Sequence, residues 1–501
     1  MKGDSIKAVV VGAGIAGIAT AIRLRHLGYE VTVCEANDYP GGKLTAFEQD
    51  GFRFDAGPSL FTLPYLVDEL FELCGEDPRD HFNYHRKDVA CHYFWEDGTF
   101  LPAWADRQKF ALEVEERIGV PAARLTSHLQ HSALLWERTG SLFMERSLHR
   151  FSTYFSKDTL KALGAIHKLN LFTTMHGANE RALKDPKMTQ LFDRFATYNG
   201  SSPYLAPGVM NIIPHLEHQL GTYYPEGGMH EITTSLTGLA ERIGVQFRYE
   251  ARVERIIVER KKVTGVELTS AREGHNQTLR ADIVVSNMDV VPTYRKLMPN
   301  EPAPERTLNQ PRSSSALIWY WGIGHIFNEL DLHNIFFSDG YRSEFEDIFE
   351  KGKIFDDPTV YLNISSKEDA NDAPMGKENW FVMVNVPGNT GQDWDRLIAE
   401  TRQYVVQKLS RMLGVEIEPL IETESLLDPR LIESKTSSFR GSLYGAASNN
   451  AMAAFLRHPN AHRRIGGLYF SGGSVHPGGG IPLCLLSARI TAELVQKDHR
   501  S

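Results

Sequence analysis

The stretch Val9-Val10-Val11-Gly12-Ala13-Gly14-Ile15-Ala16-Gly17, near the start of this 501-residue chain, decides the fold. Its apolar, β-branched run is typical of a buried parallel strand, and a helical pattern follows it to Leu27. Gly12 permits a tight turn, Gly14 lets the backbone approach a diphosphate, and Gly17 lets the helix pack against the strand. The first N–H groups of that helix would face phosphate oxygens. The stretch therefore predicts a Rossmann-type dinucleotide-binding unit.

A second predicted strand ends in an acidic residue. The run Val31-Thr32-Val33-Cys34 leads to Glu35 and Ala36. In dinucleotide-binding units a carboxylate at this position binds the ribose hydroxyls, and it disfavours a 2′-phosphate. The sequence therefore excludes NADP as the ligand of this unit.

Two further loops and a second glycine motif favour FAD over NAD. In Pro40-Gly41-Gly42-Lys43, two glycines and a cation suit the diphosphate of a long, extended cofactor. In Asp55-Ala56-Gly57-Pro58-Ser59, a glycine that permits close approach precedes a proline, which suits a loop lying against a flat ring. Near the other end of the chain, Gly472-Gly473 and Gly478-Gly479-Gly480-Ile481-Pro482 form a second glycine-rich segment. We expect both ends to fold onto one FAD, which predicts a redox enzyme.

The composition is that of a globular protein and argues against several functions. The net charge of −9 argues against nucleic acid as a partner. The four cysteines show no CxxC spacing, which fits a reducing cytoplasm without a disulfide framework. His81, His85, Cys91 and His92 lack the ligand spacing of a zinc site and lie among basic residues, so we expect no metal. No apolar run reaches the length that a membrane span needs.

Three motifs resemble the bacterial phytoene-desaturase family. They are Tyr224-Pro225-Glu226-Gly227-Gly228-Met229, Ser286-Asn287-Met288-Asp289 and the segment 473–482, which contains His-Pro-Gly-Gly-Gly-Ile-Pro. The resemblance covers essentially the whole chain. It implies FAD, a long hydrophobic tunnel and dehydrogenation of a carotenoid. Phytoene desaturases usually carry glycine after Ile-Pro, whereas this chain has Leu483-Cys484-Leu485-Leu486-Ser487. That variant is more similar to 3,4-desaturases of monocyclic or 1′-hydroxylated carotenoids.

The expected fold class is α/β, with a Rossmann-type FAD-binding domain like that of amine oxidases and GDP-dissociation inhibitors. We also expect a substrate domain with a mixed sheet and a helical, membrane-associating subdomain. We expect the FAD-binding domain to comprise residues 1–85, 225–300 and 440–501, the substrate domain 86–105 and 301–439, and the helical subdomain 106–224. The residues expected to bind FAD are Gly12, Ala13, Gly14, Ile15, Gly17, Glu35, Ala36, Gly42, Lys43, Gly57, Pro58, Ser59, Val253, Met288, Gly472, Gly473, Gly480, Ile481 and Pro482.

Dehydrogenation of a carotenoid needs little from side chains. It removes a hydride and a proton from adjacent carbons, and a flavin can accept the hydride. The carbon left cationic is conjugated with the polyene, so a weak base or water suffices to take the proton. His476 and Asp185 are the candidates for this role. The alternatives are a structural place for His476 in the glycine loop and a helix cap for Asp185.

A C40 substrate must come from a membrane. Residues 146–184 carry seven basic residues against two acidic ones, and apolar residues recur there at near-helical spacing. A basic amphipathic helix of this kind can lie on an anionic surface, so we expect peripheral association with the inner face of the cell membrane. An ordinary helix with one core face and one solvated face fits the same pattern. Oxygen or a quinone is the expected electron acceptor.

Two other classes of function stay open. One is different FAD chemistry, as in a phytoene desaturase, an amine oxidase or a retinol saturase. Trp319, Tyr320 and Trp321 are candidates for the aromatic cage that an amine oxidase needs. The other is a non-catalytic lipid-binding protein of the same fold, such as a prenyl-group chaperone. The intact set of glycines, together with Glu35 and Lys43, argues against this second class.

Overall fold

The structure is a computed structural model, and it describes residues 6–144, 146, 170, 172–270, 276–450 and 452–499. The strands in these parts are β1 Lys7–Val11, β2 Glu30–Cys34, β3 Ala46–Gln49, β4 Phe52–Asp55, β5 Tyr84–Arg86, β6 Val89–Phe94, β7 Phe100–Trp104, β8 Tyr223–Pro225, β9 Gln246–Arg248, β10 Ala251–Glu259, β11 Lys262–Ser270, β12 Asn276–Arg280, β13 Ile283–Ser286, β14 Ser315–Ile323, β15 His333–Phe336, β16 Val360–Asn363, β17 Glu378–Val386, β18 Ile421–Leu427 and β19 Leu468–Phe470. The α-helices of six residues or more are α1 Ile15–His26, α2 Tyr65–Leu73, α3 Arg107–Ile118, α4 Ala122–Met144, α5 Met175–Leu183, α6 Pro186–Asp193, α7 Glu231–Arg242, α8 Tyr341–Glu346, α9 Trp394–Leu413, α10 Pro429–Thr436 and α11 Ile481–His499.

Five strands form a parallel sheet in the order β19-β13-β1-β2-β9. At its centre, Val9 pairs with Thr32 on one side and with Val284 on the other, and Val284 pairs in turn with Leu468. Helices α1 and α11 pack together and share one core with the buried residues of this sheet. The Rossmann-type unit predicted from the first glycine motif is thus confirmed. Its strands come from distant parts of the chain.

A three-stranded antiparallel sheet, β10-β11-β12, lies next to the parallel one. The apolar run at residues 281–285 is not part of this sheet, although it follows β10 and β11 closely in the sequence. The third strand is β12, whose polar sequence Asn-Gln-Thr-Leu-Arg gave no hydrophobic alternation. Strand β13 is buried at every position and joins the parallel sheet, as a continuous apolar run should.

The second large sheet has seven strands in the order β18-β14-β17-β16-β15-β6-β7. Its β15–β6 pair is parallel and its other pairs are antiparallel. Strands β6 and β7 form a hairpin, with Gly98 at φ +82° in the turn. Alternation along β14 sends Trp319 and Trp321 into the core on one face, while Tyr320 packs on the other. The mixed sheet predicted for the substrate-binding part is therefore confirmed.

Helices α3 to α6 pack beside β6, β7 and β15 and enclose the side of the molecule beyond this sheet. Of the basic segment 146–184, residues 147–169 lie outside the described part of the chain, and so does most of the amphipathic helix predicted there. None of the described helices is long and apolar enough to cross a membrane. The three domain ranges expected from the sequence stay a prediction.

Candidate functional site

A cavity of about 1250 Å³ runs from the parallel sheet to the seven-stranded sheet. Both glycine motifs contribute to its wall. Among the residues predicted to bind FAD, Ala13 and Gly17 stand apart because they do not line the cavity. The predicted residues that do line it are Gly12, Gly14, Ile15, Glu35, Ala36, Gly42, Lys43, Gly57, Pro58, Ser59, Val253, Met288, Gly472, Gly473, Gly480, Ile481 and Pro482.

The turn between β1 and α1 has the geometry that its glycines suggest. Gly12 lies at φ +97°, and its N–H donates to the carbonyl oxygen of Cys34 at 2.8 Å. A Cβ on Gly17 would stand 2.2 Å from the carbonyl oxygen of Gly12, so any larger residue would push the helix off the turn. Gly17 therefore acts by packing, while Gly12 and Gly14 present backbone to the cavity.

Glu35 is held firmly at the end of β2. It is 7% exposed, and its Oε2 accepts from the N–H of Ala13 at 2.7 Å while its Oε1 accepts from the N–H of Asn37 at 2.9 Å. These two bonds fix the carboxylate at the cavity wall beside the β1–α1 turn. A carboxylate in this position can accept from the ribose hydroxyls of a dinucleotide.

Asn287 is a residue of the site that sequence reasoning did not single out. Its Nδ2 donates to the carbonyl oxygen of Ser471 at 2.9 Å, and its N–H donates to the carbonyl oxygen of Val11 at 2.8 Å. Its Oδ1 lies 2.8 Å from the position that a Cβ on Gly14 would take. Asn287 thus joins the two glycine motifs through β13. The sequence did contain a signal for Asn287. It directly follows a strand of a parallel sheet, and ligand-binding residues are common at the carboxyl ends of such strands.

Lys43 lies in the cavity wall, in a loop that contacts the β1–α1 turn through the N–H of Gly41, which donates to the carbonyl oxygen of Ala13 at 2.8 Å. Its Nζ donates to the carbonyl oxygens of Ser442 and Leu443 at 2.9 and 2.8 Å. Burial lowers the pKa of this ammonium to about 8. A Cβ on Gly57 would stand 1.8 Å from the carbonyl oxygen of Lys43, so the two predicted loops pack directly on each other. The loop Gly57-Pro58-Ser59 is positioned by this contact.

The second glycine motif brings the start of α11 to the cavity. Gly472 and Gly480 lie at φ +121° and φ +102°, which favours glycine at both positions. A Cβ on Gly480 would meet no atom within 4 Å, so bare backbone faces open space there. Ile481 and Pro482, the first residues of α11, line the same region. The N-terminal end of a helix favours negative charge.

These features fit FAD. The cavity presents a buried carboxylate for the ribose, bare glycine backbone and the start of α1 for the diphosphate, and an open glycine segment at the start of α11 for the ring system. Lys43 adds a cation in the same wall. The residues on the cavity wall therefore match an extended dinucleotide with a flat ring at one end.

The structure places both candidates for proton transfer away from the cavity wall. His476 is 1% exposed, and its Nε2 is 2.7 Å from the carbonyl oxygen of Arg146. Asp185 is the N-cap of α6 and accepts from the N–H of Met188 at 2.9 Å. Neither lines the cavity. These contacts fit the structural alternatives, a place in the glycine loop for His476 and a helix cap for Asp185, and a catalytic role for either stays a prediction.

The aromatic cage considered for an amine substrate is not assembled by the three residues named for it. Tyr320 lines the cavity, and its hydroxyl donates to the carbonyl oxygen of Ala56 at 2.8 Å. Trp319 and Trp321 point to the other face of the sheet because side chains alternate along β14. Within the described residues there is also no group of three or more His, Cys, Asp or Glu placed to hold a metal ion.

Comparison with known proteins agrees with this geometry. The family model for flavin containing amine oxidoreductase matches residues 15–496. The chain belongs to this family. The 1-hydroxycarotenoid 3,4-desaturase of Flavobacterium sp. (strain P99-3) is 55% identical over 489 residues, which cover 98% of this chain and 99% of that protein. The 4,4'-diapolycopene oxygenase of Methylomonas sp is 32% identical, with 99% of each chain covered. The phytoene desaturase of Fusarium fujikuroi is 30% identical, with 98% and 89% covered.

Solved structures of the same fold include oxidases of amines. Wild-type putrescine oxidase bound to putrescine matches with a TM-score of 0.63 at 14% identity, over 98% of this chain and 99% of that one. Cyclohexylamine oxidase from Brevibacterium oxydans IH-35A matches with a TM-score of 0.60 at 15% identity, over 99% and 100%. At this identity the likeness shows the fold alone. The flavoprotein fold, the FAD cofactor and the resemblance to the phytoene-desaturase family are confirmed.

Proposed function

We propose that this flavoprotein is a carotenoid desaturase that carries out 3,4-desaturation of a monocyclic or 1′-hydroxylated C40 carotenoid, in the hydroxylated case at the end of the molecule that bears the hydroxyl. The observation that carries the proposal is the 55% identity, over nearly the whole of both chains, to a protein named 1-hydroxycarotenoid 3,4-desaturase. The departure after Ile481-Pro482 supports the same choice of reaction, since it separates this chain from the pattern of phytoene desaturases.

The shape and lining of the cavity support an apolar, elongated substrate. Beyond the loop Gly57-Pro58-Ser59 the cavity continues along β14, β15 and β17 of the seven-stranded sheet. Apolar and aromatic side chains dominate this part of the wall, as expected for a site that holds a polyene. They include Phe47, Ile318, Tyr320, Ile335, Phe345, Phe381 and Met383.

The protein's part in the reaction is mainly placement. When bound, FAD supplies a ring that accepts a hydride from the saturated carbon. Tyr320 is fixed beside that region by its hydrogen bond to Ala56, and the apolar wall excludes water from the reacting bond. Holding one C–C bond of a long chain in a reactive position removes most of the entropic cost of the encounter. A weakly basic group or water takes the proton, because the cationic carbon is stabilised by the polyene.

Two of the side chains that line the cavity are apolar and exposed to solvent. Phe172 and Met452 are 96% and 56% exposed, and Phe172 lies within the basic segment 146–184. We infer that the protein associates peripherally with the inner face of the cell membrane through residues 146–184 and takes its substrate from the bilayer there. Oxygen or a quinone then serves as electron acceptor.

Coexpression with carotenoid pathways in a colourless bacterial host tests the proposal. Hosts that accumulate phytoene, lycopene, γ-carotene or 1′-hydroxy-γ-carotene receive the chain, and pigments are read by absorption and mass. A loss of two hydrogens with a red shift, confined to the monocyclic or hydroxylated substrate, is the expected result. Conversion of phytoene would make the protein a general desaturase. No conversion by a protein that still holds FAD would favour the saturase or amine oxidase alternatives.

A further inference from the structure

Three buried polar side chains interrupt the apolar wall of the cavity. Arg194, Tyr198 and Glu217 all line it, and we call them the polar cluster. Arg194 Nη1 donates to Tyr198 Oη at 3.0 Å, and Arg194 Nη2 donates to Glu217 Oε1 at 3.3 Å. The Tyr198 hydroxyl donates to Glu217 Oε2. Arg194 and Glu217 are only 5% and 2% exposed. The cluster is therefore a buried ion pair whose two members are both hydrogen-bonded to the same tyrosine hydroxyl.

Local backbone structure and stacking hold the polar cluster in place. Arg194 begins the 3₁₀ turn Arg194–Asn199, which follows α6, and Glu217 lies in the single π-helical turn Leu216–Leu220. Turns of the π type are rare and occur often at functional sites. The guanidinium of Arg194 also lies over the ring of Phe195, 4.6 Å from its centroid. The cluster is thus rigid, and its geometry is fixed without a ligand.

A polyene gives such a cluster nothing to bind. Burying an ion pair costs desolvation energy, and hydrophobic side chains of the same size would serve an apolar tunnel at least as well. The Nε of Arg194 is buried and has no hydrogen-bond partner among the described residues. Tyr198 is half-buried, and its oxygen donates one hydrogen bond and accepts one. A phenol oxygen has two lone pairs, so one acceptor position stays available on the cavity side.

The polar cluster lies near the loop that faces the expected flavin ring. Ser59 of that loop shares a hydrogen bond of 2.6 Å with Tyr361 Oη, which is 2.8 Å from Nδ1 of His333. Burial raises the pKa of Tyr361, and the charges of Arg194 and Glu217 are close enough to contribute in opposite directions. The polar cluster, Tyr361 and Ser59 all line the same cavity, so a substrate held at the cluster shares that cavity with the Ser59 loop.

We propose that the polar cluster is the subsite for the hydroxyl group of the carotenoid, which donates its O–H to the free lone pair of Tyr198 Oη. This inference rests on the proposed function. In the numbering of 1-hydroxycarotenoid 3,4-desaturation, the carbon that bears the hydroxyl is two bonds from the bond that is oxidised. Fixing the hydroxyl therefore fixes which bond lies at the flavin. A site built to pair a hydroxyl also rejects the analogue that lacks it, because the buried polar group is left unpaired.

The test compares two substrates on purified protein with FAD bound. They are a 1-hydroxylated carotenoid and the same carotenoid without the hydroxyl, measured with the wild type and with Tyr198→Phe. We expect kcat/KM of the variant to fall about tenfold for the hydroxylated substrate, the value of one hydrogen bond, and to stay unchanged for the other. Tyr204→Phe is the matched control, since Tyr204 lies in the same part of the fold and does not line the cavity.

A second measurement needs no variant. The methyl ether of the hydroxylated carotenoid keeps the oxygen but cannot donate, so the wild type should convert it as poorly as the substrate without oxygen. Equal losses for both substrates in Tyr198→Phe, or no loss for either, would overturn the inference. So would a wild type that converts hydroxylated and non-hydroxylated carotenoids equally well, although the desaturase proposal would then stand. A wild type that holds FAD and converts no carotenoid overturns both.

Discussion

Thr20 and Ser471, which are 451 positions apart in the chain, share a hydrogen bond of 2.9 Å between their hydroxyl groups. Thr20 lies in α1, and Ser471 directly follows β19. The N–H of Ser471 also donates to the carbonyl oxygen of Ser286 at 3.0 Å, at the end of β13. Three distant segments therefore meet below the cavity, so the two glycine motifs face it in one fixed arrangement.

Replacing Gly14 with valine should abolish FAD binding. A Cβ at this position would stand 2.8 Å from Oδ1 of Asn287, and the branched side chain would occupy the space of the diphosphate. We expect purified Gly14→Val protein to contain less than about a tenth of the wild-type flavin by absorption, since at least one close contact must be broken. Gly238→Ala in helix α7 is the control and should keep its flavin. Normal flavin content in Gly14→Val would contradict this assignment of the diphosphate site.

Lys43 should give FAD binding a dependence on pH. Burial lowers the pKa of its ammonium in the free protein to about 8. A bound diphosphate favours the charged form and raises that pKa, so FAD binding takes up a proton and weakens as pH rises past about 8. Titration of the apoprotein with FAD should show affinity falling about three- to tenfold from pH 7 to 9. In Lys43→Met the affinity for FAD should be lower than in the wild type and should not change between pH 7 and 9. An equal slope in the variant would assign the effect to another group.

Glu344 should make the protein less stable as the pH rises from about 4.5 to about 7. Burial raises the pKa of this carboxyl to about 7, although the N–H and hydroxyl of Thr359 both donate to it. Between about pH 4.5 and 7 the folded state keeps a proton that the unfolded state has lost, so stability falls across that window. Relative to Glu344→Gln, the wild type should lose about 2 kcal/mol of unfolding free energy between pH 5 and 8. The measurement is denaturant unfolding at several pH values. If the unfolding free energies of the wild type and Glu344→Gln changed with pH in the same way, this prediction would be refuted.

Removing only one charge of the Arg312–Asp289 ion pair should destabilise the protein more than removing both charges. The guanidinium donates to Oδ2 of Asp289 and to Ser442 Oγ, the latter at 3.0 Å, and both charged side chains are more than nine-tenths buried. Arg312→Met leaves the carboxylate unpaired, which we expect to cost about 3–5 kcal/mol. Adding Asp289→Asn should restore part of this loss. Thermal unfolding of both variants is the measurement, and a double variant less stable than Arg312→Met would exclude charge pairing as the cause.

Much of the cofactor site could be predicted because its signals are local. The turn after β1 needs glycine for conformation and close packing, and an acid after β2 needs only its place at the strand end. These requirements can be read within a few residues of sequence. Strand β12 could not be found in this way, because its polar side chains carry no period and its partner β11 supplies the pairing.

The polar cluster shows why the rest of the cavity could not be predicted. Arg194 and Glu217 are 23 positions apart and meet only because two irregular turns bring them together. A π-helical turn leaves no sequence signature that periodicity can detect. His476 shows the converse, since it lies in the predicted segment but is buried and does not line the cavity. The position of a residue in the sequence therefore predicts whether it lies near the cofactor better than it predicts where its side chain points.

The placement of β19 and α11 in the parallel sheet and its core also bears on how the protein is made. During translation, β1 and β2 leave the ribosome early, yet their sheet stays open at one edge until residues 468–499 have emerged. Pairing across so large a sequence separation is slow, and the apolar edge is exposed meanwhile. Because residues 472–482 also line the cavity, we expect the FAD site to be complete only after this last part of the chain has emerged.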